Sequence, residues 1–243
     1  MERVKEDEDD IVCLDESFFI NDNYQLTTFT FGSQVLELFC LNSASTDFDL
    51  TGQLVWPGAV LLNEYLSKNA EMLQGLSVIE LGSGVGVTGV LCSKFCKKVV
   101  MTDHNDEILK KNIDLHASSE SYPCPDSGAE KLEWANSDQR NEIVQRYPEG
   151  FDLSRVFFKS EEKEDADSFW VMFLVPKCLP MEVHVSCELV ILQSPFCSHL
   201  LPLPRMDQMV LDEARGHGLS TKEVAGTRSI VGNLEGVIYE ITL

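Results

Sequence analysis

Glycines at 82, 84, 86 and 89 follow directly on the short apolar run Val78-Ile79-Glu80-Leu81. Such a run reads as a buried strand, and the glycines as a strand-to-helix turn. There the backbone bends tightly and a ligand can approach the main chain closely. The helix that follows points unpaired N–H groups outward, which favours a carboxylate or a phosphate. Asp103 ends a second apolar run, 21 positions beyond Gly82. That is close to the ~20-residue step of one βαβ unit, and it places an acid to accept both hydroxyl hydrogens of a ribose. The pattern predicts a nucleoside-type cofactor.

Two cofactors compete for this pattern. Gly84-Val85-Gly86-Val87-Thr88-Gly89 matches G-x-G-x-x-G, so NAD is one. Glu80 argues against it. A carboxylate two residues before the glycines repels a pyrophosphate but suits a cationic amino-acid head group. The first strand also starts near residue 77, behind a hairpin and a helix, where a simple dinucleotide domain opens earlier. S-adenosyl-L-methionine is therefore the expected cofactor, and tight strand–helix packing is the bland alternative for the glycines. Asp106 and Glu107 read as first-turn helix acids.

The elements that must position these residues follow from pattern. Residues 1–10 are a dense acidic run, read as a solvated, disordered tail. Residues 17–20, 25–31 and 35–40 read as strands, with Asn21-Asp22-Asn23 and Gly32-Ser33 as turns. A helix follows Trp56-Pro57, proline suiting a first helical turn. From residue 77 strand and helix alternate: strands 77–81 and 98–102, helices through 95 and over 106–117, a third short strand at 131–134, a helix over 138–146, and a strand beginning at 151–153. Alternation of this kind predicts an α/β fold, a Rossmann-like doubly wound sheet with parallel strands. A helix over 205–217 and strands over 220–224 and 236–242 predict a closing antiparallel pair. The expected organisation is a tail over 1–10, a hairpin and first helix over 11–75, and a domain over 76–243 in which 154–204 is divergent or poorly ordered.

Composition narrows the function classes. The chain has 243 residues, 44% apolar and 24% charged, as expected for one globular domain with decorations. Its formal net charge of −21 disfavours sequence-independent nucleic-acid binding. That field is compatible with a basic protein substrate, and acidity also serves solubility. No apolar run reaches the ~18–20 residues of a membrane span, and residues 1–10 lack the apolar stretch of a secretory signal. The eight cysteines form no C-x-x-C pair, and Cys92 and Cys96 have no second ligand pair at zinc spacing. No metal is expected. Reduced thiols in a cytoplasmic or nuclear chain are the expectation.

Glu80-Leu81-Gly82-Ser83-Gly84-Val85-Gly86 resembles motif I of the class I, seven-strand methyltransferases, in the family of small protein-lysine methyltransferases (methyltransferase family 16). Thr102-Asp103-His104-Asn105 is similar to that family's acidic turn after motif I. Leu54-Val55-Trp56-Pro57-Gly58-Ala59 resembles the segment whose tryptophan lines the cofactor pocket, and Leu132-Glu133-Trp134 the third-strand end beside the adenine. The likeness covers roughly 11–153 and 205–243. It implies S-adenosyl-L-methionine as cofactor, with Gly82, Ser83 and Gly84 facing the methionine part and Asp103 holding the ribose. Trp56 and Trp134 would pack on the cofactor, and Glu80, Gly86 and His104 would complete the site. It implies methyl transfer to lysine side chains of a protein substrate by a monomer, with no membrane or specific nucleic-acid partner.

The sequence departs from the family in one stretch. The family's (D/E)-x-x-(Y/F) motif at the end of the fourth strand has no good match, and Asp167-Ser168-Phe169-Trp170 is a near miss. No catalytic residue is therefore assigned. Residues 154–204 carry five prolines and no helical pattern. This loss and recovery of pattern points to an altered reading frame, a retained intron or an alternative exon, or to a divergent insertion. Cys187-Glu188-Leu189-Val190-Ile191-Leu192 is a candidate fifth strand. A catalytically impaired methyltransferase-fold binding protein and an NAD-binding oxidoreductase are the competing functions.

Overall fold

A computed structural model describes residues 24–41, 52–117, 126–133, 136–159, 169–178, 211–212, 214–231 and 234–242. The hairpin comes first. Strands β1 (Gln25–Phe31) and β2 (Gln34–Cys40) pair antiparallel, in the register Phe31↔Gln34. Gly32 takes φ 58° in the two-residue turn, the positive φ that such a turn needs. Alternation sets the buried face: Leu36, Leu38 and Cys40 are buried, whereas Val35 and Glu37 are exposed.

Helix α1 (Pro57–Lys68) starts on proline at its first position. The main sheet then builds from β3 (Ser77–Leu81), β4 (Lys98–Asp103), β5 (Ser127–Lys131) and β6 (Phe151–Lys159). Helices α2 (Val87–Ser93), α3 (Glu107–Ala117) and α4 (Ser137–Arg146) connect them. The Asn136 side chain caps α4 by accepting from the Gln139 N–H at 3.2 Å. Strands β7 (Phe169–Cys178), β8 (Ser220–Glu223), β9 (Ser229–Val231) and β10 (Leu234–Thr242) close the sheet.

The strand order is β5-β4-β3-β6-β7-β10-β8, with β9 also on β10. The first four strands are parallel; β7 runs antiparallel to β6, β10 runs parallel to β7, and β8 and β9 run antiparallel to β10. The mixed α/β architecture is the one expected, with its hairpin, parallel strands and closing antiparallel pair. The reversed β7 is an addition. Only nine residues, 160–168, separate β6 from β7. A parallel crossover needs roughly a dozen or more, so chain length permits only the antiparallel partner.

Period-two alternation divides the core between the sheet's two faces. Ile79, Leu81, Val100 and Val237 pack with Ile143 of α4 and with Leu211 and Ala214. Val78, Val99, Met101 and Ile238 pack on the other face, against α1, α2 and the hairpin's Leu36 and Leu38.

Two boundaries moved. The third parallel strand lies at Ser127–Lys131, not 131–134. The apolar Leu132 that suggested the later position is buried just past the strand's end, where its N–H donates to the Asp103 carbonyl at 2.9 Å. The expected helix over 205–217 is helical at 211–212 and 214–216. The acidic tail, the strand at 17–20, Trp134 and the candidate strand at 187–192 lie outside the described residues.

Candidate functional site: the glycine turn and Asp103

Parallel register brings the carboxyl ends of β3 and β4 side by side, Leu81 opposite Thr102. The turn leaving β3 and the acid ending β4 therefore meet, at the edge where open α/β sheets bind ligands. Gly82, Gly84 and Gly86 take φ of 69°, 54° and 84°, a region costly for residues with a Cβ. Ser83 ties the turn to β4 at two points, its N–H donating to the Thr102 carbonyl (2.8 Å) and its Oγ accepting from the Thr102 N–H (3.1 Å), and it closes the turn on itself, its carbonyl accepting from the Gly86 N–H (2.8 Å).

Asp103 faces this turn. It is 7% exposed. Its Oδ2 accepts from the Gly84 N–H at 2.8 Å, its Oδ1 accepts from the Asn105 N–H at 3.1 Å, and His104 Nδ1 lies 2.9 Å from Oδ1. A carboxylate offers about four acceptor positions. Three are engaged here, so one remains for a hydroxyl, and a second opens only if the half-exposed His104 moves aside. The expectation that Asp103 takes both ribose hydroxyls is thus narrowed.

The close approaches at the glycines are made by the protein itself. A Cβ on Gly84 would stand 2.2 Å from the Gly52 carbonyl oxygen, and a Cβ on Gly52 would lie 4.0 Å from Asp103 Oδ1. A Cβ on Gly86 would meet Leu109 at 2.5 Å, and one on Gly89 would meet Met101 at 2.2 Å. At 84, 86 and 89 a side chain would therefore collide with the protein's own atoms. Glu80 is 8% exposed and lies beneath α2, its Oε2 2.9 Å from where a Gly89 Cβ would be. That places its carboxylate under the first turn of a helix, where negative charge is favoured. Trp56 is half-buried at the N-cap of α1, its carbonyl accepting from the Val60 N–H at 3.2 Å.

Sequence reasoning passed over several buried polar groups around this site. Gln53 is 2% exposed, next to Gly52. Asn63 of α1 donates to Thr88 Oγ1 (3.0 Å) and the Ala59 carbonyl (2.7 Å), holding α1 to the start of α2. Asn112 of α3 is fully buried between β2 and the glycine turn. No pattern marks these residues, because a single polar side chain in a helix reads as solvated.

The donor set fits an adenosyl donor: a buried carboxylate with acceptor capacity at the strand edge, beside a turn held in positive φ. Among the described residues no group of three or more His, Cys, Asp or Glu could hold a metal ion, and no helix is long and apolar enough to cross a membrane.

The turn, its acid and the parallel sheet define a Rossmann-like α/β fold. Residues 41–149 match the lysine methyltransferase family model. The chain is 29% identical over 116 residues to mouse protein N-lysine methyltransferase METTL21A, covering 46% of this chain and 50% of that protein. It is 31% identical over 130 residues to mouse histone-arginine methyltransferase METTL23, with 52% and 50% covered. It is 31% identical over 134 residues to the Yarrowia lipolytica protein N-terminal and lysine N-methyltransferase EFM7, with 46% and 49% covered. The chain spans about half the length of these curated relatives. Among solved structures, Trm5b of Pyrococcus abyssi aligns at a TM-score of 0.36 and 10% identity, over 90% of this chain and 64% of that one, a likeness too weak to carry an argument.

Proposed function

We propose that the protein transfers methyl groups from S-adenosyl-L-methionine to lysine side chains of a protein substrate. The observation that carries this reading is the Asp103 carboxylate bonded to the Gly84 N–H, within the stretch that matches the lysine methyltransferase family model. Asp103 would hold the ribose, the turn at 82–86 would lie along the methionine part, and Trp56 would flank the cofactor. Glu80, buried to the same degree as Asp103, would set a negative field at that turn that suits the cationic methionine part. When bound, the cofactor supplies an electrophilic methyl group.

The chain's own contribution is alignment and exclusion of water. Gly84 and Ser83 fix the turn against β4, which would hold the cofactor in one orientation. A lysine amine has a solution pKa of about 10.4 and must be neutral to attack. The protein therefore captures the neutral fraction or favours deprotonation by burial. No described side chain is assigned as a base.

Calorimetry with S-adenosyl-L-methionine and with NAD, followed by methyl transfer to proteins in extract, tests the proposal. Binding of the former alone, with a mass gain on lysine, is expected. Asp103→Ala should weaken cofactor binding by about 10- to 100-fold, the value of hydrogen bonds to a charged group. NAD binding, or no methylated product from the cofactor-loaded protein, would overturn it. The match to a histone-arginine methyltransferase favours arginine as a second acceptor, and amino-acid analysis of the product separates the two.

A further inference from the structure

We propose that Asn112 is a positioning residue that couples docking of the β1–β2 hairpin to the shape of the cofactor turn. Asn112 is 0% exposed, in the middle of α3. Its Oδ1 accepts from the Phe39 N–H at 2.8 Å, and its Nδ2 donates to the Phe39 carbonyl at 3.0 Å and the Val85 carbonyl at 2.8 Å. A side-chain amide is a copy of a peptide group. Towards β2 it pairs as a neighbouring strand would, and its second N–H reaches the middle of the glycine turn.

The pairing belongs to a register. His116, one turn further along α3, bonds to the backbone of Glu37, and Lys94 Nζ donates to the Val35 carbonyl at 3.2 Å. Residues 35, 37 and 39 share the outer edge of β2. Two strand residues advance ~6.8 Å and four helix residues ~6 Å, so side chains four apart on α3 match backbone groups two apart on β2. The hairpin joins the domain through side chains that stand in for a strand.

Asn112 differs from its two companions in reaching the turn. The peptide joining Val85 to Gly86 is held at both ends, its oxygen by Asn112 and its N–H by the Ser83 carbonyl at 2.8 Å. The Gly84 N–H, two residues away, is the one bonded to Asp103. A shift of the hairpin edge is thus transmitted to the peptide beside the ribose acid, and binding at the turn must by reciprocity steady the hairpin. This inference rests on the cofactor lying at the turn.

Amide hydrogen exchange on the full chain, with and without saturating S-adenosyl-L-methionine, tests it. The Phe39 amide of the unaltered protein should exchange about 5-fold or more slowly with cofactor bound, in the range of ordinary coupling energies. Asn112→Asp keeps the acceptor for Phe39 and loses both donors. It should abolish that response and raise the KM for cofactor about 10-fold, with kcat at saturation within about 2-fold. Leu38→Ala, a hairpin-core change matched in melting temperature, is the control for mere loosening. Cofactor binding without a response at Phe39 overturns the inference, as does an equal KM rise in the control. Absence of cofactor binding by the unaltered protein overturns the cofactor reading itself. If Asn112→Asp does not fold, the Phe39 response of the unaltered protein decides alone.

Discussion

The two halves of the main sheet are built on different rules. From β3 to β6 each strand returns through a helix, so all four point the same way and their carboxyl ends align. From β7 onward directions are mixed: β7 runs antiparallel to β6 but parallel to β10, and β8 and β9 run antiparallel to β10, so strand ends of both senses meet at each edge. The parallel half concentrates turns, a buried acid and close backbone contacts at one edge. The closing half completes the sheet and covers one face with Leu219, Tyr239 and Ile241. Function-bearing geometry belongs to the first rule, because only parallel strands bring successive turns to the same place.

Glycine substitutions sharpen this contrast most. Gly84→Ala forces a Cβ to 2.2 Å from a backbone oxygen at φ 54°, with no flexible side chain to yield. A loss of about 3–5 kcal/mol is expected, read as a drop in denaturant midpoint. Gly226→Ala in the closing half has φ 78° and nothing within 4 Å of its Cβ. Strain alone then applies, about 1–2 kcal/mol. Equal losses at the two sites would erase the distinction.

Core truncation should be indifferent to it. Ile79→Ala in β3 and Val237→Ala in β10 remove fully buried side chains from one cluster. About 2–5 kcal/mol is expected for the first and somewhat less for the smaller valine, by chemical denaturation.

A pH scan probes the hairpin junction. Burial, the largest influence, holds the His116 pKa below its usual 6.5, with Lys94 adding to the shift and Glu37 opposing it. The folded state then binds its proton less readily than the unfolded chain. The stability it contributes is complete above 6.5 and is lost as pH falls from there toward the depressed folded value, with a slope of at most about 1.4 kcal/mol per unit. Melting temperature against pH reads it, and His116→Gln should flatten the curve. The smallest effect is expected at the Glu223–Arg228 pair joining β8 to the β9 approach, both partners about 39% exposed. Glu223→Gln should change stability by under about 1 kcal/mol.

The legible parts of the chain were those where local pattern and tertiary role coincide. Val78-Ile79-Glu80-Leu81 followed by glycines and then Asp103 foretold β3, the turn and the acid, because buried strands, positive-φ turns and strand-end acids each have a residue signature. Ser127-Gly128-Ala129-Glu130-Lys131 has none. It forms a strand because β4 offers a free edge, and its register is set by Asp103 standing opposite Lys131. The direction of β7 was hidden for a different reason: it depends on the length of the preceding connection, not on the strand's own residues. The roles of Asn63 and Asn112 depend on what lies across a helix interface, and neighbours in sequence carry no trace of that. The purpose of Gly84 was half legible, its conformation foretold and its contact with Gly52 not.

That contact makes positions 52 and 84 a matched pair from distant parts of the chain. Anyone transplanting the 82–86 loop into a related scaffold, or evolving it in the laboratory, would have to bring the residues around 52 with it. The two stretches are inherited as one part, although 29 residues, 53–81, lie between position 52 and the loop.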